Sequence, residues 1–419
     1  MRFIKGRSGG GLGLLFALMT GPALADVRDI RALFEPDASK PQKNEFVNQT
    51  PSEGFCSQVP GICKPAGLFS LLARIPFTAN APILANHADP RKGGMAQVPS
   101  EWRDVTVTLA SGDSTVVETK VVQVRIAGIG HEASIPVSIG ELTGGGWWDQ
   151  LWAGGSWVYA PSPCEGVGVA TAGHHGYNSF WKVPVGAGVC SKKALFDIPF
   201  FSYQYIVFGY EMRTPDPLNM QSGEYTGTIS YTVGPGMDFD MGDVMIPSNG
   251  DSQLTLNFLL EVRHTLKVDI PPGGNRVELV PQGGWQAWLT QGRKPTRLFR
   301  DQTFNISASG RFKMNLQCQY YSGNTCALWE PTAGHPVPLN VSVTLPNGLT
   351  DGAGKPVSRQ PLLSDGTGTE LFQPGLYVDR KPGTLHFEIA RDEVAEMLHP
   401  GRARSYSGNV TVIWDSEVG

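Results

Sequence analysis

Charge is scarce in this sequence, and neither sign prevails. Charged residues make up 17% of the 419 residues, and 34 lysines and arginines against 38 aspartates and glutamates give a formal net charge of −4. Proteins that bind nucleic acid or an anionic membrane surface usually carry a basic patch or run, and no such excess is present. The composition therefore predicts neither kind of partner.

Motifs for catalysis and metal binding are also missing. No G-x-S-x-G nucleophile motif occurs after residue 10, and no H-E-x-x-H zinc motif occurs at all. His174 and His175 are adjacent, so their side chains point apart, and we interpret them as polar surface. The segment 238–243 resembles a calcium loop, but Asn249 stands where that motif needs a glutamate. We expect no metal and no cofactor.

Long apolar runs are absent apart from one short stretch near the N-terminus. Three basic residues among the first seven precede the apolar run 12–19, and Ala23-Leu24-Ala25 follows it. A membrane span needs about 20 apolar residues, so this run is too short to be an anchor. The order is typical of a secretory signal peptide, residues 1–25, and predicts an exported, soluble chain that begins at Asp26.

Long helices are not expected either, because 51 glycines and 32 prolines interrupt the chain. Aromatic and β-branched residues fill the segments between them, which favours strands. Only 390–398 has the pattern of a short helix. The composition predicts an all-β protein.

Strands are predicted wherever apolar residues recur between turn signals. The segments 102–109 and 115–129 are interpreted as a hairpin with its turn at Gly112-Asp113. By contrast, 26–51 has no clear period, and no free strand is expected there. The other predicted strands are 71–77, 200–211, 224–233, 251–260, 264–270, 276–281, 303–319, 339–345, 385–389 and 409–414.

One strand sequence occurs twice. The sequence YTGTISY at 225–231 returns as YSGNVTV at 406–412, an offset of 406 − 225 = 181 residues. That spacing fits two successive β-domains. A new alternating strand begins at His264 directly after a strand that ends at Leu260, and no glycine or proline lies between them. We predict two tandem immunoglobulin-like β-sandwiches, residues 26–262 and 263–419, in a nearly fixed arrangement.

The six cysteines form three pairs that are close in sequence. In an exported chain, disulfides between neighbours are the simplest pairing, although other connectivities stay open. A zinc site is not favoured, because no pair has C-x-x-C spacing and no pair of histidines is spaced to complete one. The expected disulfides are Cys56–Cys63, Cys164–Cys190 and Cys318–Cys326.

Several of these motifs together resemble one family. They are the closing strand 406–412, the opening strand 264–269, the segment 225–229 with Asp238-Phe239-Asp240, and the Cys318/Cys326 pair. The chain is similar to minor tip subunits of class 5 pili, the CFA/I-type tip adhesins and CblD-like pilus initiators of Gram-negative bacteria. The resemblance spans nearly the whole chain after the signal peptide and is strongest from Gly223 onward.

The resemblance implies an N-terminal adhesin domain joined by a short linker to a C-terminal pilin domain that lacks one strand. The next subunit supplies that strand from its N-terminal extension, which is strand addition to an open groove. It further implies a major pilin, a periplasmic chaperone, an outer-membrane usher and a host receptor as partners. The expected location is the fimbrium tip, reached through the periplasm, with a role in adhesion and virulence.

The acceptor groove is expected beside the closing strand. Val410, Val412 and Trp414 share one face of it, and only five residues follow Trp414. Leu266 and Val268 of the opening strand are placed on the same groove. Because 26–51 offers no free strand, we expect this subunit to accept a strand without donating one, which is the position of a tip subunit and initiator.

Receptor binding in this family is attributed to surface arginines of the adhesin domain. Arg74, Arg125 and Arg213 are the candidates here, since a guanidinium pairs well with the carboxylate or sulfate of a host glycan. A solvated strand face is the alternative interpretation. Trp147 and Trp148 lie in a stretch rich in glycine and tryptophan that either forms a platform for sugar rings or packs the core.

Two further functions stay open. An exported carbohydrate-active enzyme with a β-sandwich accessory domain is the alternative, because two carboxylates can converge in a cleft without any local motif. A secreted structural protein that is complete in itself predicts a stable monomer without a chaperone. We favour the non-enzymatic tip adhesin.

Overall fold

A computed structural model of the chain describes residues 25–110, 117–248, 250, 252–399 and 405–416. The signal peptide up to residue 24, the Gly112-Asp113 turn and Asn249 lie outside these ranges. The chain is almost entirely β within them, so the all-β prediction is confirmed. The first fourteen strands are β1 Ala25–Phe34, β2 Val47–Asn48, β3 Leu71–Ala73, β4 Phe77–Ala79, β5 Gly94–Ala96, β6 Arg103–Leu109, β7 Thr119–Ser134, β8 Glu165–Ala172, β9 Gly176–Lys182, β10 Cys190–Lys192, β11 Ser202–Arg213, β12 Gly223–Thr232, β13 Met245–Pro247 and β14 Gln253–Val262.

Twelve further strands follow. They are β15 Leu266–Asp269, β16 Val280–Pro281, β17 Leu298–Ala308, β18 Phe312–Cys318, β19 Tyr321–Ser322, β20 Thr325–Glu330, β21 His335–Thr344, β22 Leu349–Asp351, β23 Gln360–Pro361, β24 Phe372–Pro374, β25 Val378–Ile389 and β26 Val410–Ser416.

Helices are short in the part of the chain that the structure describes. The expected helix within 390–398 is present as α6, and five shorter helices accompany it. The α-helices are α1 Phe55–Gln58, α2 Pro60–Cys63, α3 Ile139–Leu142, α4 Trp148–Leu151, α5 Gln286–Gln291 and α6 Arg391–Met397, and single 3₁₀ turns occur at Pro90–Lys92 and Pro217–Asn219.

Twelve of the first fourteen strands form one large sheet, and β5 and β10 form a separate two-stranded sheet. The order of the large sheet is β13-β4-β11-β7-β6-β12-β14-β1-β2, with β3 beside β11 and the β8–β9 pair beside β7. The expected hairpin is confirmed, because Arg103 to Thr108 of β6 pair antiparallel with Val124 to Thr119 of β7. The sheet encloses a core whose members run from Ile30 to Val262.

The C-terminal strands form two sheets with a core between them. One has the order β15-β17-β25-β21-β20-β19, and the other has the order β22-β24-β18-β26. Side chains of both sheets meet, as when the Phe304 ring packs at 4.9 Å from the Trp414 ring. This sandwich has a core of its own, with members from Leu298 to Val394. The division of the chain at residues 262 and 263 stays a prediction.

The segment 26–51, in which no free strand is expected, does contain a strand, but that strand is paired along its length. Strand β1 pairs in parallel with β14 over its full length, from Ala25 beside Gln253 to Phe34 beside Val262. Every second residue of β1 points inward, but two of these are Asp26 and Arg28, which form an ion pair at 3.1 Å. Because charged residues occupy inward positions, the sequence does not show the apolar alternation of an ordinary strand.

All three expected disulfides are present, between Cys56 and Cys63, Cys164 and Cys190, and Cys318 and Cys326. The first joins α1 to α2, the second joins the start of β8 to β10, and the third joins the end of β18 to β20.

Candidate functional site

Strand β26 forms one side of an open groove. It pairs antiparallel with β18, from Val410 beside Cys318 to Ser416 beside Phe312. Among the described residues no strand pairs with its other edge. Such an edge presents a row of backbone N–H and C=O groups that another strand can use.

The opposite side of the groove is a broken strand. Leu266 to Asp269 of β15 pair with one end of β17, and Val280 and Pro281 of β16 pair with the other end. The segment 270–279 between them forms no ladder with the middle of β17. Strand β15 pairs antiparallel with β17 and forms the edge of its sheet. Strand β26 forms the edge of the facing sheet. The groove lies between these two open edges.

The groove is deep and mostly apolar. It encloses a cavity of about 1030 Å³. Its floor is formed by core side chains of β17 and β25, and its rims by side chains of β15 and β26. The floor includes Phe304, Leu385 and Phe387, and the rims include Val268, Val410, Val412 and Trp414.

Four of the five predicted groove residues line this cavity. Val268, Val410, Val412 and Trp414 do so and are only half buried. The fifth, Leu266, packs against the same core without lining the cavity. Complete burial of an aliphatic side chain contributes about 1.5–3 kcal/mol, so these half-buried rims leave stabilising free energy to be gained from an added strand.

Part of the groove lining was not anticipated from the sequence. Val277, Leu279 and Trp285 line the groove from the segment before β17, and Met397 lines it from α6. The alternation at 277 and 279 indicated a short strand, but it did not indicate which cavity the strand faces. Residues remote in sequence from β26 therefore contribute to the groove.

The arginine candidates have different surroundings. Arg125 is buried; it pairs with Glu211 at 2.8 Å and donates to the Val183 carbonyl oxygen at 2.9 Å. Arg213 is exposed, and its guanidinium carbon lies 4.0 Å from the centre of the Trp102 ring. Arg74 is exposed too. Of the three, Arg213 combines exposure with a fixed orientation.

The tryptophan candidates are divided between surface and core. Trp147 is 40% exposed, whereas Trp148 is 3% exposed and donates from its indole nitrogen to the Gly173 carbonyl oxygen. A receptor contact by Trp148 would require this side chain to leave the core. The receptor-binding role of these residues stays a prediction.

The rest of the stretch rich in glycine and tryptophan packs the core. Trp157 stacks on Trp181 with ring centres 4.7 Å apart. Lys192 is buried and donates to the carbonyl oxygens of Gly155 and Ser156, both at 2.8 Å, which fixes the loop that carries Trp157. Burial lowers the pKa of Lys192 to about 8. This loop is thus anchored from inside.

A buried histidine lies in the same aromatic cluster. The His131 ring stacks on Tyr203 with centres 4.0 Å apart and contacts the edge of Trp157 at 5.2 Å. Burial lowers the pKa of His131 to about 3, because no carboxylate compensates the charged form. The imidazole is therefore neutral at physiological pH.

The residues considered for metal binding have other partners. His174 contacts Trp147, and His175 contacts the Ile135 carbonyl oxygen at 3.3 Å. In the segment 238–243, Asp240 is buried and pairs with Arg91 at 2.8 Å. No group of three potential metal ligands occurs in the described part of the chain.

A chain of hydrogen bonds joins a hydroxyl, an imidazole and a carboxylate on β21, β25 and β17. His386 lies 2.8 Å from the Thr344 hydroxyl through Nε2 and 2.7 Å from Asp301 through Nδ1. The order resembles that of serine hydrolases. It follows from strand register, since Asp301 lies opposite His386, and the Thr344 hydroxyl also accepts the Arg359 N–H at 3.0 Å. We interpret the chain as a polar network that joins neighbouring strands.

In the described ranges, no helix is long and apolar enough to cross a membrane.

Comparisons with known proteins add little. No family model and no curated protein matches the chain. Nine chains of solved structures match. One is described as the CsuC-CsuE chaperone-tip adhesion subunit pre-assembly complex from archaic chaperone-usher Csu pili of Acinetobacter baumannii, with 9% identity, 82% of this chain and 85% of that chain covered, and a TM-score of 0.20. A superposition with that score carries no weight for function, so the proposal for this protein depends on its own geometry.

Proposed function

We propose that this protein is a tip subunit and assembly initiator of a chaperone-assembled pilus of the class 5 type. The observation that carries the proposal is the groove beside β26, which has an unpaired strand edge on one side and half-buried apolar side chains on its rims. A strand from the next subunit would satisfy both at once. The same groove would be covered by a periplasmic chaperone until the usher exchanges it for the pilin strand.

The geometry specifies the donor strand. Strand β26 has seven residues, and Val410, Val412 and Trp414 face the groove at every second position. A donor of similar length with apolar residues at alternate positions matches this spacing, because side chains of a strand alternate between its faces. Polar residues between them would face solvent.

The placement of β1 supports the tip position. A subunit that donates a strand needs a free extension, whereas β1 is paired along ten residues with β14. Its inward residues Ile30 and Phe34 are buried in the N-terminal core. Releasing β1 would expose that core, so we expect this subunit to accept a strand only.

The receptor site is proposed on the N-terminal sheet. Arg213 presents an exposed guanidinium over the ring of Trp102, at 4.0 Å from its centre. A fixed guanidinium loses little side-chain entropy when it pairs with a carboxylate or sulfate, so an acidic host glycan is the receptor class that it suits. Arg74 and Trp147 are the other exposed candidates.

The test is thermal unfolding with synthetic peptides that copy the N-terminal extensions of small pilins of the class 5 type. At a concentration of about 100 Kd, a cognate peptide should raise the Tm of the C-terminal region by about 5–10 °C. Val412→Asp should abolish the shift, because it places a charge in the groove. Gln317→Asp is the matched control, since Gln317 is exposed on the neighbouring strand β18 and does not line the cavity, and it should retain the shift.

No shift with any such peptide would sink the strand-acceptor proposal. A peptide of the same composition with its alternation scrambled should also fail to bind. If it stabilises the protein equally, the groove is a general apolar site and not a strand acceptor.

The groove does not favour the carbohydrate-active enzyme. Glycoside hydrolysis uses a pair of carboxylates across the scissile bond. Among the described residues that line this cavity, Glu278 is the one carboxylate.

A further inference from the structure

The two halves of the chain meet at a short and highly connected joint. Only three residues separate the end of β14 at Val262 from the start of β15 at Leu266. His264 is the middle one, and its side chain contacts Met220 and Phe34 of the N-terminal half and Ser309 in the turn that joins β17 to β18.

The hydrogen bonds of His264 fix its neutral form. Its Nε2 lies 2.8 Å from the Met220 carbonyl oxygen, which can only accept, so Nε2 carries the proton. Its Nδ1 lies 3.2 Å from the Ser309 hydroxyl and accepts that proton. The Ser309 oxygen in turn accepts the Thr265 N–H at 2.9 Å. One neutral imidazole thus connects Met220 of the N-terminal half with Ser309 of the C-terminal half.

Packing leaves the ring little freedom. The Phe34 ring at the end of β1 contacts its edge, with centres 5.7 Å apart. On the other side is Gly310, where a Cβ atom would lie 2.7 Å from Cγ of the imidazole. The His264 N–H also donates to the Ser222 hydroxyl at 3.3 Å.

A second proton on this imidazole would disrupt its hydrogen bond with Ser309. Ser309 is fully buried and its oxygen already accepts the Thr265 N–H, so its hydroxyl proton would have to turn away from a protonated Nδ1. A buried donor then loses its partner, which costs about 1–3 kcal/mol.

The groups around His264 shift its pKa in both directions. Burial lowers the pKa of His264 most, and Arg311 lowers it further, whereas the Met220 carbonyl, Asp216 and Glu118 raise it; the net effect is a pKa below the ordinary value. Arg263, next along the chain, pairs at the surface with Glu261 at 2.7 Å and Glu35 at 3.7 Å.

We propose that His264 is an acid-sensitive lock between the two halves of the protein, closed while the imidazole is neutral and loosened when it gains a proton. The lock would hold the receptor-binding half and the strand-accepting half in one relative orientation at neutral pH. On acidification it would let them move. This goes beyond the proposed function, because it requires neither a receptor nor a donor strand.

The test measures the distance between two spin labels, one in each half, by pulsed electron paramagnetic resonance. The described cysteines are all in disulfides, so Lys43→Cys and Lys355→Cys, both at exposed positions, supply the label sites. Between about pH 7.5 and about pH 5, the parent protein should change from a narrow to a broadened and shifted distance distribution.

The variant His264→Gln distinguishes titration of His264 from other effects of pH. A glutamine amide can donate to Met220 and accept from Ser309 but cannot titrate, so its distribution should stay narrow at both pH values. His264→Ala should be broad at both. His174→Gln, at an exposed histidine, should behave like the parent.

The proposal fails if the parent distribution does not change with pH, or if His264→Gln broadens as the parent does. Should His264→Ala not fold, Gly310→Ala replaces it, with Gly375→Ala as control because open space surrounds that position. Gly310→Ala should broaden the distribution at neutral pH, and an unchanged distribution would contradict the lock.

Discussion

The two copies of the repeated strand sequence have different surroundings. The first copy lies in β12, which pairs with β6 on one side and with β14 on the other, and its Tyr225 and Tyr231 are fully buried. The second copy leads into β26, which among the described residues pairs only with β18 and leaves Val410, Val412 and Trp414 half exposed. Similar strand sequences therefore form a closed sheet in one half and an open edge in the other.

The difference comes from neighbouring strands and not from the repeat itself. In the N-terminal half, β14 covers β12 and β1 covers β14, so the chain completes its own sheet. In the C-terminal half, the position beside β26 is a groove with a floor of core side chains. Under the proposed function, a strand from another chain would fill this groove and bury the side chains on its rims.

The largest expected difference between the two halves is in the stability lost when one inward-facing side chain is truncated in each half. Phe34→Ala in β1 removes a buried side chain from the closed half and should lower its free energy of unfolding by about 3–5 kcal/mol. Val412→Ala on the open rim should cost only about 1 kcal/mol in the free protein, since that side chain is half exposed. Urea denaturation followed by tryptophan fluorescence measures both, and equal losses would contradict the contrast.

Acid should lower the free energy of unfolding of the N-terminal half, which contains His131. The pKa of His131 is about 3 in the folded protein, below the ordinary 6.5, so the unfolded chain binds more protons between these values. The stabilising effect of neutral His131 is complete above about pH 6.5 and falls as the pH drops toward 3, by about 2–3 kcal/mol at about pH 4.5.

His131→Phe keeps a ring in the cluster and cannot titrate. Its stability should fall less between about pH 7 and about pH 4.5 than that of the parent. The same decline in both proteins would show that His131 is not the group responsible.

A smaller effect on stability separates the two arginines of the closed half. Arg213→Ala should reduce adherence to host cells while changing stability by no more than about 0.5 kcal/mol, because the side chain is exposed. Arg125→Ala should instead cost about 1–3 kcal/mol, since it removes a buried side chain and the hydrogen bond that the Val183 carbonyl oxygen accepts from it. Arg31→Ala, at another exposed arginine, is the control for charge loss. Unchanged adherence of Arg213→Ala would remove Arg213 from the receptor site.

Many of the strands and all three disulfides could be predicted from the sequence, because they follow from patterns among residues close in sequence. Alternation located most strands, cysteine spacing gave the three disulfides, and the face shared by Val410, Val412 and Trp414 indicated the groove. Strand β1 was missed because the ion pair of Asp26 and Arg28 lies at its inward positions.

Contacts between remote segments could not be predicted. Nothing near Arg125 in sequence shows that Val183 and Glu211 bury it. The His264 joint likewise depends on Met220 and Ser309, which are more than forty residues away on either side. Periodicity describes a strand's faces but not its partners, and burial of polar side chains depends on the partners.

The most direct test of the central claim is hydrogen exchange of the two repeated strands, with and without a cognate pilin peptide. Amides of β12 that face β14 should be protected in both samples, because β14 pairs with β12 from Gly223 to Thr232. Amides on the free edge of β26 should exchange rapidly alone and gain at least about tenfold protection when the peptide binds. Equal protection of β26 with and without peptide would contradict the claim that this edge awaits a strand from another subunit.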